Sequence, residues 1–294
     1  MRITQTMLSH TTLNNIEANM SRLDHLEAQI TSGTRLTRPS DDPIGTARAL
    51  TLQEGVDQST QFLSNIDQAN SWLNVTDSTL SAVTGAVQRA RELAVQAASE
   101  TTSASDRQAI DAEVQQLQQQ VLGLAQTRSG SSYLFAGTRS DTPGYVSANP
   151  STMPGVYQGN NGLVQREVSA GETMAVNADP TSTFDPVFTA LNQLHTGLAA
   201  NNTAGIQASI DAADAALTAV LTTRATVGAK NNRLDALRQQ LSAVQTNMVG
   251  LLSNVKDVDM AQAITGFSMA QTVYQASLQA GAKAMQPSLL DYLR

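Results

Sequence analysis

Cysteine is absent from this chain of 294 residues, which rules out disulfides, thiolate nucleophiles and thiolate metal ligands. Aromatic residues make up only 4%, so a deep pocket lined with rings is not expected. Basic residues are also short: 18 Lys and Arg against 25 Asp and Glu leave a net charge of -7. A nucleic-acid partner would need a basic face to neutralise phosphates, and none is offered. No apolar run is long enough to span a membrane. Near the start, Arg2, Gln5, Thr6, Ser9 and His10 interrupt the apolar residues, so the continuous core of a cleavable secretory signal is missing too.

Catalytic signatures are equally scarce. There is no HExxH, GxSxG, phosphate loop or dinucleotide fingerprint. His10, His25 and His195 are far apart in sequence and are expected to be exposed helix residues rather than metal ligands. The acidic pairs Asp41-Asp42 and Asp257-x-Asp259 precede helical patterns, where capping explains a carboxylate without any reaction. No catalytic, cofactor-binding or metal-binding residue is assigned, no cofactor is implied, and no enzyme activity is expected.

What the chain does have is helical periodicity. Ile206, Ala213, Val220, Val227, Leu234, Leu241, Met248 and Val255 recur every seven residues. A strict heptad keeps one stripe facing a partner only through supercoiling, so residues 206–258 read as one long helix in a coiled coil or bundle. Leu237, Val244, Leu251 and Val258 form a second column after Gly228, whereas Ile210 and Leu217 do so before it. At ~1.5 Å per residue such a helix spans roughly 80 Å, which predicts a rod. A second heptad seam in residues 44–99 holds Leu63, Ile66, Leu73, Leu80, Val87 and Ala94, interrupted by Asn70, Asp77, Thr84 and Arg91. These polar positions are expected to fix register or sit partly solvated. Ile110, Val114, Leu117, Val121 and Leu124 mark a third helix, with Ser105 and Gln108 placed as a capping box.

Between residues 130 and 186, Gly, Pro, Asn, Ser and Thr cluster around short β-prone runs at 133–135 and 163–168. This predicts a small β-rich insertion, with hairpin signals at Gly159-Asn160-Asn161-Gly162 and at Ala170-Gly171. Its turn-rich boundaries make it a candidate for excision. Helix is expected to restart at Asp185-Pro186. The fold class is therefore mainly α: an elongated rod of long antiparallel coiled-coil or bundle helices from both halves of the chain. The expected division is 1–43 with 259–294 as paired terminal helices, 44–130 with 186–258 as the helical bundle, and 131–185 as the β-rich insertion.

At each end lies an amphipathic helix. Leu13, Ile16, Met20, Leu23 and Ile30 form a narrow, polar-flanked stripe, and Met260, Ile264, Phe267, Tyr274 and Leu278 share helical spacing near the other terminus. Alone, such helices are marginal in water. Between the first helix and the second, Gly33 suits a C-cap, Ser40 or Asp41 an N-cap, and Pro43 a first turn.

Those residues also carry a resemblance. Thr31-Ser32-Gly33-Thr34-Arg35-Leu36 followed by Pro39-Ser40-Asp41-Asp42-Pro43 is similar to the SGxRLxxPSDDP stretch of the bacterial flagellin superfamily. The SDDP form resembles its hook-associated, hook-filament junction branch, whereas flagellins more often show a lysine and two alanines around the aspartates. The stretch Asp257-Val258-Asp259-Met260-Ala261 and the ending Gln286-Pro287-Ser288-Leu289-Leu290-Asp291-Tyr292-Leu293 resemble the C-terminus of the same branch.

The resemblance implies a structural part of the flagellum, in the junction layer between hook-associated proteins and the flagellin filament. It further implies export through the flagellar type III channel, an extracellular location, and an export chaperone beforehand. Partners would be the first hook-associated protein, flagellin, and further copies of this chain in a ring layer, with no nucleic acid and no membrane insertion. The two terminal stripes, Leu13 to Ile30 and Met260 to Leu278, are the expected assembly interface. A flagellin-type filament subunit is the alternative. A secreted helical translocator or toxin ranks lower, because it should carry a membrane-inserting apolar segment.

Overall fold

The architecture follows from helices that are long because few breakers interrupt them. The computed structural model describes residues 5–147 and 155–285; the predicted C-terminal motif at 286–293 lies outside the described residues. In chain order there are α1 (Gln5–Ser32), α2 (Pro43–Ala98), α3 (Ala104–Ala125), β1 (Arg128–Ser129), β2 (Ser132–Tyr133), β3 (Tyr145–Ser147), β4 (Gly155–Tyr157), β5 (Gln165–Ser169), β6 (Glu172–Ala175), α4 (Pro180–Ala199), α5 (Thr203–Lys256) and α6 (Met260–Met285). The expected mainly α fold with a small β-containing part is what forms. The chain divides into two compact units: a terminal one, Met1–Gln58 with Val244–Arg294, and a central one, Ser59–Ala243.

In the central unit the heptad seams find each other. Ile66, Leu73, Leu80, Val87 and Ala94 of α2 are buried, as are Ile206, Ala213, Val220, Val227 and Leu234 of α5. The second α5 column differs from expectation: Ser209 and Ala216 are buried, while Ile210 and Leu217 pack at its margin. The polar interruptions of the α2 seam take partners on α5, and their order makes the two helices antiparallel. Asn70 donates to Asp235 at 3.2 Å, Arg224 donates to Asp77 at 2.9 Å and Arg91 donates to Asp214 at 2.6 Å. Asn231 donates to Asn74 at 3.2 Å, a further rung that fixes register. Thr84 satisfies its hydroxyl internally on the Leu80 carbonyl.

Helix α3 is capped by Ser103 and Asp106, which form the reciprocal capping box, not by the expected pair Ser105 and Gln108. The shift is one of geometry: Ser103 has the extended backbone that an N-cap needs, and Ser105 lies inside the first turn. Buried Arg107 ties the neighbouring ends together, donating to the carbonyls of Ala97 and Ser99 and to Asn201 Oδ1. His195 is not the exposed residue expected; its Nδ1 lies 2.6 Å from Asp111 Oδ1 where α4 packs on α3, and His25 is likewise half-buried.

Among the described residues, the β-rich region forms three two-stranded antiparallel sheets. Gly130 and Gly171, both with positive φ, turn β1 into β2 and β5 into β6. The predicted hairpin at Gly159-Asn160-Asn161-Gly162 is not one. Asn160 instead reaches back across the chain, accepting from the Thr138 amide at 2.8 Å and the Gly162 amide at 3.2 Å. Helix α4 begins at Pro180 behind an Asp179 cap, and Pro186 lies within it rather than at its start. Only one helical donor is lost there. Aromatic packing explains why α4 starts early: Phe184 and Phe188 face Tyr145 at ring separations of 5.5 and 5.3 Å, and Phe135 meets Phe184 edge-on at 4.8 Å. The Tyr145 hydroxyl donates to the Pro180 carbonyl and to Asp185. Burial, helped by that carboxylate, raises its pKa well above the usual phenol value. The strands and α4 thus share one core.

Candidate assembly surface

The terminal unit is built around two turns that lie against each other. Helix α1 stops at Ser32 because Gly33 takes φ +68°, the left-handed conformation of a helix C-cap. The chain then pairs with the turn between α5 and α6. Val258 N donates to Gly33 O at 3.1 Å, Arg35 N donates to Lys256 O at 2.7 Å, and Thr34 and Asp257 form an antiparallel bridge. Arg35 clamps this pairing from its side chain, donating to the Val255 carbonyl at 2.9 Å and facing Asp42 at 3.4 Å.

The aspartate pair divides its work. Asp42, rather than Ser40 or Asp41, caps α2: its Oδ1 accepts from Gly45 N at 2.8 Å, with Pro43 as the first helical residue. That backbone donor, with Arg35 beside it, holds the Asp42 carboxyl below the usual carboxylate range. Asp41 instead braces the loop, accepting from Arg38 N at 3.0 Å and Thr37 Oγ1 at 3.1 Å, with His25 Nδ1 3.8 Å away. Asp259 caps α6 through the amides of Ala261 and Gln262, which agrees with the capping role read from sequence.

Helices α1 and α6 pack antiparallel. A Cβ placed on Gly281 would meet Thr12 at 3.1 Å and Ile16 at 3.2 Å, and one on Gly266 would meet Leu26 at 3.6 Å. Ala263 and Ala270 are buried; Ala263, Gly266 and Ala270 are spaced by three and four residues, and Gly281 lies eleven further on, about three turns, so all four share one face. Helix α1 therefore rests on the small residues of α6. This face was not among the expected interface residues, which are all large; its signal in the sequence is small residues at helical spacing in a helix with few charges.

Each residue of the expected interface can now be placed. Ile16, Leu23 and Ile30 of α1 are half-buried, whereas Leu13 and Met20 are exposed. On α6, Phe267 and Tyr274 are half-buried, and Met260, Ile264 and Leu278 are exposed. The α6 stripe is thus divided, with Phe267 and Tyr274 nearer the small-residue face and Met260, Ile264 and Leu278 turned outward. Met7, Met269 and Val273 add to the exposed set, as do Ile44 and Leu50 of α2 and Val249 and Leu251 of α5.

The two units differ sharply in how they treat apolar side chains. Among the described residues, Ala263 and Ala270 are the only buried hydrophobic residues of the terminal unit. Among the described residues, the central unit leaves only Val95, Val156, Leu163 and Leu221 as exposed large ones. Exposed apolar side chains that gather in one part of a chain are a feature of surfaces that partners cover. Among the described residues no group of three or more His, Cys, Asp or Glu gathers to hold a metal, and no helix is long and apolar enough to cross a membrane.

Comparison with known proteins places the chain in a family. The bacterial flagellin N-terminal helical region matches residues 3–140, and the bacterial flagellin C-terminal helical region matches residues 210–293. The chain is 28% identical to flagellar hook-associated protein 3 of Escherichia coli, over 95% of this chain and 96% of that one. It is 30% identical to flagellin of Bacillus subtilis over the full length of both. Its fold is similar to the crystal structure of the flagellar junction protein FlgL from Legionella pneumophila, with a TM-score of 0.58 and 17% identity, over 73% of this chain and all of that one. From the helical regions at both ends and the full-length likeness to a flagellin, the chain belongs to the bacterial flagellin family.

Proposed function

We propose that this chain is a structural, non-enzymatic component of the flagellum that forms the junction layer between the hook-associated proteins and the flagellin filament. The observation that carries the assembly role is the terminal unit itself, in which, among the described residues, Ala263 and Ala270 are the only buried hydrophobics while Leu13, Met20, Met260, Ile264 and Leu278 stay exposed. Such a surface gains its burial from neighbouring subunits. The junction position is supported by the likeness to hook-associated protein 3 and by the Ser40-Asp41-Asp42-Pro43 form of the loop. In this reading Leu13, Ile16, Met20, Leu23 and Ile30 with Met260, Ile264, Phe267, Tyr274 and Leu278 form the assembly interface. The neighbours are the first hook-associated protein, flagellin and further copies of this chain in a ring. The chain reaches them from the cell through the flagellar type III export channel, held soluble beforehand by an export chaperone.

Full-length similarity to flagellins supports a second reading, a filament subunit. One experiment separates the two. Deleting the gene for a junction protein leaves hooks without filaments and sheds flagellin into the medium, and antibody against the chain labels a single band at the hook end. Labelling along the whole filament, with no shed flagellin in the deletion strain, would establish the second reading and overturn the first.

A further inference from the structure

With no cysteine in the chain, the methionine thioethers are its only sulfur atoms, and they are unevenly placed. Of the nine methionines, only Met153 and Met174 fall outside the terminal unit. Met7, Met20, Met260 and Met269 of the terminal unit expose between 42% and 65% of their surface, against 7% for Met174 in the central core. Met269 borders a cleft of about 120 Å³ where Asn19 and Arg22 of α1 face Gly266, Ala270 and Val273 of α6. Met248 is intermediate: half-buried, with its sulfur 2.9 Å from where a Cβ on Gly55 would stand. Thioether oxidation follows exposure, and sulfoxide formation turns a flexible apolar side chain into a polar one.

We propose that Met7, Met20, Met260 and Met269 are an oxidation site through which peroxide-class oxidants switch off assembly of the free subunit. The inference rests on the assembly reading above. With hydrogen peroxide the thioether sulfur gives an electron pair to one peroxide oxygen; the O–O bond breaks, an S–O bond forms, the proton on the transferred oxygen passes to the departing hydroxide, and water leaves. The methionine gains one oxygen atom and is oxidised by two electrons, and the peroxide is reduced by two. A sulfoxide in an apolar contact lacks a hydrogen-bond partner, so each one buried against a neighbour weakens association by roughly tenfold. Once subunits are assembled, the same sulfurs are covered and the reaction slows.

The test uses the full-length protein, treated with dilute hydrogen peroxide and mapped by peptide mass spectrometry. The expected order of oxygen gain is Met7, Met20, Met260 and Met269 first, Met248 later and Met174 last. Treated and untreated protein are then bound to flagellar hooks from a strain lacking this chain. Binding should fall at least ~10-fold on treatment and recover after methionine sulfoxide reductase has acted. In a variant with all four changed from Met to Leu, the ratio of treated to untreated binding should stay near one, whatever its own affinity. Full binding by protein carrying the four sulfoxides overturns the inference, as does equal loss in the Leu variant or oxidation that starts at Met174. Failure of untreated protein to bind hooks sinks the junction reading itself, and this inference with it.

Discussion

Ile264→Ala combined with Leu278→Ala should separate assembly from subunit stability. Both side chains lie on the outward part of the α6 stripe and keep 51% and 43% of their surface exposed. Fully burying a large aliphatic side chain contributes about 1.5–3 kcal/mol, so roughly half of that, ~0.7–1.5 kcal/mol each, is still available to a neighbouring subunit. The pair would then lose about 1.5–3 kcal/mol of association free energy per subunit, or ~10- to 150-fold in affinity. Neither residue belongs to the buried cluster of Ser59–Ala243, so the melting of that unit should not move. A positive control in the same assay is Phe184→Ala, which empties a fully buried position among three rings and should cost about 3–5 kcal/mol. The assays are calorimetric melting of the purified chain and filament growth in cells that lack it. If the double variant melts like Phe184→Ala while filaments still grow, the α6 stripe is part of a monomer core and the reasoning fails.

Other predictions concern the turns and the β-rich region. Gly33→Ala forces a Cβ into φ +68° at a cost of about 1–2 kcal/mol, and hydrogen exchange at the Val258 amide, which pairs with Gly33, should speed up accordingly. Because the Asp42 pKa is depressed in the folded chain, its contribution is complete above the unfolded carboxylate value of about 4 and is lost as pH falls through the lower folded value. Amide exchange at Gly45 should accordingly rise in acid, and Asp42→Asn should remove that acid dependence. Tyr145→Phe deletes the donor to the Pro180 carbonyl and Asp185 and should lower stability by about 1–2 kcal/mol in denaturant titration. Replacing residues 131–175 with a Gly/Ser linker strips Phe135 and Tyr145 from Phe184 and Phe188. It should therefore reduce the cooperativity of central-unit unfolding, and an unchanged transition would show that the two parts fold independently.

The helices were legible because their information is local and periodic. The heptads through Ile206 and Leu234 and through Ile66 and Ala94 named their own buried stripe, and Gly33, Pro43 and Asp259 marked ends whose chemistry is set within one turn. The three strand pairs were partly legible for the same reason, since Gly171 alone explains the β5–β6 turn. Errors arose wherever a distant residue decided the outcome. Asn160 looked like part of a hairpin turn, but Thr138 claims its side chain. Pro186 looked like a helix start, but rings from Phe135 and Tyr145 stabilise the turns before it. His195 seemed a surface residue until α3 brought Asp111 to it. The terminal surface shows the same limit. Sequence identified two amphipathic helices, yet an apolar residue in a stripe can equally face its own chain or another copy. Only the tertiary structure assigned α1 to the alanine and glycine face of α6, leaving Met260, Ile264 and Leu278 without a cover, because which side of a helix is buried depends on the shape of what packs against it.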